Sequence, residues 1–142
     1  MSKGFVAKQS IAINAPAAKV WDALVNPDMI KRYLFGTNTI SDWKVGRPIV
    51  FRGEWEGKTY EDKGVILRLE PGRLLEYTYF SSLSKLPDVP ENYQTVTIEL
   101  SSREAHTFLS LSQDNSLTRE AQEHSEKNWG MVLGTLKKLL EQ

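Results

Sequence analysis

Apolar and polar residues alternate with a period of two through much of the chain, which is typical of strands with one buried face. Val96, Ile98 and Leu100 face one side of such a segment, whereas threonines and a glutamate face the other. Short turn sequences containing Gly, Pro, Ser or charged residues separate most of these segments, so we expect an antiparallel meander with one dry face. The pattern predicts strands over Phe5–Ile13, Ile49–Trp55, Lys58–Leu69, Arg73–Ser81, Tyr93–Ser101 and Ala105–Gln113.

Two other parts of the chain follow a helical period. A short helix carrying Val20 and Leu24 is predicted after Pro16, and Asn26–Asp28 ends it and begins a second one. The last segment, Leu117–Leu140, has an apolar stripe that thickens toward its end. We therefore predict an α+β fold. A curved antiparallel sheet of about six strands surrounds one long C-terminal helix, and two short helices follow the first strand.

Composition narrows the class of protein. The 142 residues contain no linker or repeat, so we expect a single domain over residues 1–142. Lysine plus arginine and aspartate plus glutamate number 18 each, which gives no sign of nucleic-acid binding. The chain has no cysteine and no apolar run long enough for a signal peptide or a membrane span. We expect a full-length cytoplasmic protein that binds neither nucleic acid nor membrane.

Chemical motifs are sparse. The two histidines, His106 and His124, lack the spacing of a metal site, and no nucleophile elbow or nucleotide-binding loop is present. We predict no catalytic residue, no metal and no cofactor. Charged residues cluster around the turn at Gly57, and this cluster is either a solvated hairpin with cross-strand charge pairs or a protein-docking surface.

Four stretches in this order resemble a known superfamily: Ile11–Leu24, Asn26–Gly36, Gly57–Tyr79 and Asn128–Glu141. The chain resembles the Bet v 1-like or START-like (SRPBCC) superfamily and, within it, the branch related to the C-terminal domain of the activator of Hsp90 ATPase. The resemblance implies a helix-grip fold with an apolar cavity between sheet and helix, and it implies no single chemistry. Tyr33 stands where many members have tryptophan.

The expected function is binding of a small apolar or aromatic molecule in that cavity, without covalent chemistry. The long helix and the strands should supply most of the wall, and the two short helices should close one end, with Phe35 and Tyr33 near the mouth. The candidate ligand-binding residues are Tyr33, Phe35, Phe51, Leu109, Leu111, Trp129, Leu133 and Leu136.

Two alternatives stay open. The first is an enzyme of the cyclase, aromatase or hydrolase type, which would use a cavity acid or base. Few residues on the predicted dry face could serve: Gln9, Gln113, the tyrosines, Arg52 and His124. The second is a co-chaperone-like protein that binds a chaperone or another protein partner, as the resemblance suggests.

Overall fold

The structure is a computed structural model that describes residues 4–141. It contains seven strands, three α-helices and a single 3-10 turn at Pro90–Asn92. In chain order the elements are β1 (Phe5–Ile13), α1 (Ala17–Val25), α2 (Pro27–Tyr33), β2 (Asn38–Ser41), β3 (Pro48–Trp55), β4 (Lys58–Glu70), β5 (Leu74–Tyr79), β6 (Gln94–Arg103), β7 (His106–Ser116) and α3 (Arg119–Leu140).

The strands form one antiparallel sheet in the order β1-β7-β6-β5-β4-β3-β2. This architecture confirms the predicted α+β helix-grip fold. The strand that the sequence pattern did not predict is β2, which pairs with β3 at the sheet edge. Its buried residue is Thr39, while Ile40 is exposed, so β2 lacks the usual alternation of apolar residues inside and polar residues outside.

The helix ends follow local capping. Pro16 is the cap residue of α1, and the helix begins at Ala17 as predicted. At α2 the Asn26 side chain accepts a hydrogen bond of 3.0 Å from the Asp28 amide, and Pro27 is the first helical residue. Helix α3 begins two residues after the predicted start because the Thr118 hydroxyl accepts a 3.0 Å hydrogen bond from the Ala121 amide.

Strand β4 bends the sheet around the core. Its 13 residues pair first with β3 and then with β5. At the change-over Gly64 passes so close to β5 that a Cβ atom there would lie 1.6 Å from the Thr78 carbonyl oxygen. The neighbouring Val65 amide donates a 2.9 Å hydrogen bond to the Thr78 hydroxyl. Only glycine allows this approach, which is the usual reason for glycine within a strand at a bend.

Side chains at the end of α3 and along it form hydrogen bonds with backbone groups of the edge strand β1 and so hold the helix against it. Such groups on a sheet edge would otherwise be open to pairing with another chain. The amide of Lys8 donates to Glu126, and the amide of Asn14 donates to Glu141. The carbonyls of Val6 and Ala12 accept from Gln122 and Lys137, respectively, each at 2.9 Å.

The two halves of α3 differ in how they meet the sheet. In the second half Val132, Leu133, Leu136 and Leu140 are buried in the core. The first half contributes mainly polar residues to the same side, among them Ser125. The C-terminal half therefore packs tightly, and the N-terminal half leaves space between helix and sheet.

The close approach at Gly64 predicts a large effect of one methyl group. Gly64→Ala should lower the free energy of unfolding by about 1–3 kcal/mol or more, because the Thr78 backbone must move. Gly134→Ala is the matched control: it adds a methyl group within α3, where no atom beyond the adjoining residues and backbone of the helix lies within 4 Å of the new Cβ. It should instead stabilise by about 0.5–1 kcal/mol through helix propensity. Urea denaturation measures both, and equal effects would contradict the assigned role of Gly64.

Candidate functional site

A cavity of about 420 Å³ lies between the dry face of the sheet and the N-terminal half of α3. Its wall is largely aromatic and aliphatic, and it opens to solvent beside the exposed side chains of Phe35 and Leu83. The aromatic and aliphatic residues of the wall are Leu34, Phe35, Phe51, Tyr60, Tyr77, Tyr79, Leu83, Val96, Trp129 and Val132. The other wall residues are Thr37, Asp62, Ser81, Gln113, His124, Ser125 and Asn128.

A second, much smaller void of about 40 Å³ lies deeper in the core. Five residues line both spaces and so form the partition between them: Leu34, Phe51, Tyr77, Trp129 and Val132. Trp129 is held in this partition because its indole N–H donates a 2.6 Å hydrogen bond to Gln113, whose amide donates in turn to Gln94 at 2.6 Å.

Along each of β6, β7 and α3, residues line first the large cavity, then the small void, and then pack in the closed core. On β7, Gln113 lines the large cavity, Leu111 lines the small void and Leu109 is packed in the core. The same order holds on β6 for Val96, Ile98 and Leu100, and on α3 from Ser125 through Leu133 to Leu140. The space between sheet and helix therefore narrows steadily toward the C-terminus of α3.

The candidate residues divide along this gradient. Phe51 and Trp129 line both spaces, and Phe35 lies at the rim of the large cavity. Tyr33, Leu111, Leu133 and Leu136 line the small void alone, and Leu109 lines neither. Tyr33 is buried, and its hydroxyl donates a 2.9 Å hydrogen bond to the Ala23 carbonyl, so it lies inside the core rather than at the mouth.

The sequence interpretation missed Asp62, a carboxylate on the inner face of β4. Asp62 is 7% exposed and lines the large cavity. Its oxygens accept hydrogen bonds from the Tyr79 hydroxyl and from both the amide, at 2.9 Å, and the hydroxyl of Ser82. The signal was its register: Ile66, four residues further along the same strand, is a buried apolar residue.

The neighbouring Glu61 points outward and pairs with Arg52 across the strands, where both side chains are 57% exposed. This pair agrees with a solvated hairpin. The position of Asp62 differs because successive residues of a strand face opposite sides of the sheet. The charged cluster around Gly57 therefore contains one inward-facing member.

Three aromatic rings form a cluster on the same side of the sheet as Asp62, and the hydroxyl of one of them, Tyr79, donates a hydrogen bond to it. Phe51 is the cross-strand partner of Asp62, and its ring centroid lies 5.7 Å from that of Tyr77 and 5.9 Å from that of Tyr79. Burial raises the pKa of both tyrosines, and for Tyr79 the nearby Asp62 carboxylate raises it further. Both hydroxyls therefore stay protonated at neutral pH and remain hydrogen-bond donors.

The other residues considered for acid–base chemistry lie elsewhere or are already engaged. Arg52 is on the outer face, and the Gln9 amide donates to the Glu126 carbonyl at 2.7 Å. His124 lines the cavity as an exposed residue. Within residues 4–141 no three His, Asp or Glu side chains are grouped to hold a metal ion. No helix of the described chain is long and apolar enough to cross a bilayer.

Solved structures with this architecture come from several bacteria. The solution structure of ChR145 from Cytophaga hutchinsonii is 50% identical, covers 99% of this chain and 97% of its own, and has a TM-score of 0.86. CalU16 from Micromonospora echinospora is 20% identical, with 99% and 86% covered and a TM-score of 0.74. The Aha1 dimer from Colwellia psychrerythraea is 19% identical, with 96% of each chain covered and a TM-score of 0.74. The last two likenesses establish the fold alone.

The comparison with curated proteins found no match. A family profile, described as Activator of Hsp90 ATPase homolog 1-like protein, matches residues 14–141. That match includes both short helices, every strand after β1 and the whole of α3. The chain therefore belongs to the Activator of Hsp90 ATPase homolog 1-like family.

Proposed function

We propose that this protein binds a small, largely apolar or aromatic molecule in the 420 Å³ cavity, without covalent chemistry. The observation that carries the proposal is the cavity itself, whose volume lies within the range of roughly 300–1,000 Å³ that small-molecule sites occupy. Its wall follows the usual composition of such sites, with many aromatic and aliphatic side chains and a few converging polar groups.

Packing argues that this space is a site rather than a defect. Protein interiors leave few voids larger than a water molecule. Val96 and Val132 are each 1% exposed and line the cavity, although neither is large enough to fill it. The hydrogen-bond chain from Trp129 through Gln113 to Gln94 fixes one wall in place. A rigid, preformed apolar space binds a ligand at low cost in conformational entropy.

The two alternatives have less support. An enzyme needs a titratable group positioned for proton transfer, and the cavity offers Asp62, which already accepts three internal hydrogen bonds, and His124 at the exposed rim. A chaperone-binding role draws on the family description and on the Colwellia relative named Aha1. That role would use an exterior surface, so blocking the cavity would leave it intact.

A neutral aromatic probe tests the proposal. N-phenyl-1-naphthylamine should bind with increased fluorescence and raise the melting temperature, because a ligand that binds only the folded state stabilises it by about 2.7 kcal/mol at 100 times its Kd. Ser125→Phe should weaken binding at least about tenfold, since residue 125 faces the cavity. Ala121→Phe is the control, because residue 121 is exposed on the same helix and outside the cavity wall. Equal binding by both variants would reject the cavity as the site.

The partition residue Trp129 gives a second test through stability. Trp129→Ala should cost only about 1–2 kcal/mol of unfolding free energy, because part of the ring already faces empty space. Leu136→Ala should cost more, about 2–5 kcal/mol, because Leu136 is 0% exposed and packed in the closed half of the core. Urea denaturation of both variants measures this order. A larger loss for Trp129→Ala would contradict this order and would mean that the packing of the ring and its hydrogen bond to Gln113 outweigh the empty space beside it.

A further inference from the structure

We infer that the ligand is an organic amine whose protonated nitrogen binds the Asp62 carboxylate while its apolar body fills the rest of the cavity. This inference rests on the proposed binding function and specifies its ligand class. A cavity that binds a purely apolar molecule gains nothing from a buried carboxylate, which is costly to bury without a partner.

Asp62 has no cationic partner among the described residues. Its three internal hydrogen bonds come from neutral donors: the Tyr79 hydroxyl and the amide and hydroxyl of Ser82. The ion pairs among the described residues do not include Asp62. These donors orient the carboxylate and occupy three of its roughly four acceptor sites, but none of them carries a positive charge.

The described residues of the cavity wall supply no lysine or arginine that could pair with Asp62. Buried charges in proteins are normally paired because removing them from water is costly. No lysine or arginine of the described chain lines the cavity, and His124 stands at its exposed rim. The open side of the Asp62 site is the cavity, so a cation that pairs with it must arrive with the ligand.

Aromatic residues line the cavity beside Asp62. Phe51 neighbours Asp62 across the strands, and the rings of Tyr77 and Tyr79 lie within 6 Å of Phe51, at 5.7 and 5.9 Å between centroids. The faces of such rings carry negative potential and attract ammonium groups. A carboxylate beside a cluster of aromatic rings is a combination suited to a substituted ammonium ion, and it repels a ligand carboxylate or phosphate.

A matched series of probes separates charge from shape. We would titrate the full chain at neutral pH by calorimetry with 4-phenylbutylamine, 4-phenylbutan-1-ol and 4-phenylbutanoate, which share one apolar body and differ in the charge of the head group. The amine should bind about 10- to 100-fold more tightly than the alcohol, as expected for a hydrogen bond between charged groups. The carboxylate should bind most weakly.

Two variants assign the preference to one residue. Asp62→Asn keeps the size of the side chain and should reduce the amine's advantage over the alcohol to within about twofold. Glu61→Gln is the control, since it makes the same change of charge one residue away on the outer face, and it should leave the preference intact. Circular dichroism confirms that each variant is folded, and the wild-type series tests the preference independently of both variants.

Each outcome bears on a different claim. Equal binding of amine and alcohol by the wild-type protein would overturn the amine assignment while leaving the cavity as a binding site. A preference that persists in Asp62→Asn would overturn the role of Asp62. Failure of all three probes and of N-phenyl-1-naphthylamine would overturn the binding function on which the inference rests.

Discussion

One helix, α3, must cover the concave face of a seven-stranded sheet, and only its second half carries the apolar residues needed to do so. The buried residues Val132, Leu133, Leu136 and Leu140 close the core at that end by removing apolar surface from water. The first half cannot pack in the same way because its inward positions before Trp129 are mainly polar, yet the hydrogen bonds from Gln122 and Glu126 to β1 hold it over the sheet. Helix α3 is held against the sheet along its whole length, but its side chains fill the concave face only at the C-terminal end. The cavity is the space left at the other end.

The bend in β4 decides what faces that space. Because Gly64 lets β4 cross close to β5, the strand continues from β3 to β5 without a break, and its inner face runs from Tyr60 to Ile66. Asp62 falls on this inner face and is bound by Tyr79 and Ser82. The close approach at Gly64 therefore shapes the cavity and also brings a carboxylate into its wall.

Periodicity was sufficient to predict the fold, since strong two-residue alternation and one long helical stripe specify a sheet and the helix that covers it. It failed for β2, whose inward residue is Thr39 and whose Ile40 is exposed, because such a strand has no apolar face to recognise. For the site, a stripe of apolar residues predicts which side chains face inward but not whether they enclose empty space. Leu109 and Leu133 both lie on such a stripe, yet Leu109 is packed in the core and Leu133 lines the small void. Asp62 cannot be recognised as a wall residue from composition, because it lies in a hairpin rich in charged residues and only the register of β4 shows that it faces inward.

The central proposal is that a ligand binds in the large space under the N-terminal half of α3. Nuclear Overhauser effects between N-phenyl-1-naphthylamine and selectively methyl-labelled protein test this most directly. We predict contacts from the probe to the methyl groups of Val96 and Val132, and none to those of Leu100 and Leu109 at the closed end. Contacts confined to the exposed side chains of Val65 and Leu67 on the outer face, with Val96 and Val132 silent, would contradict the account.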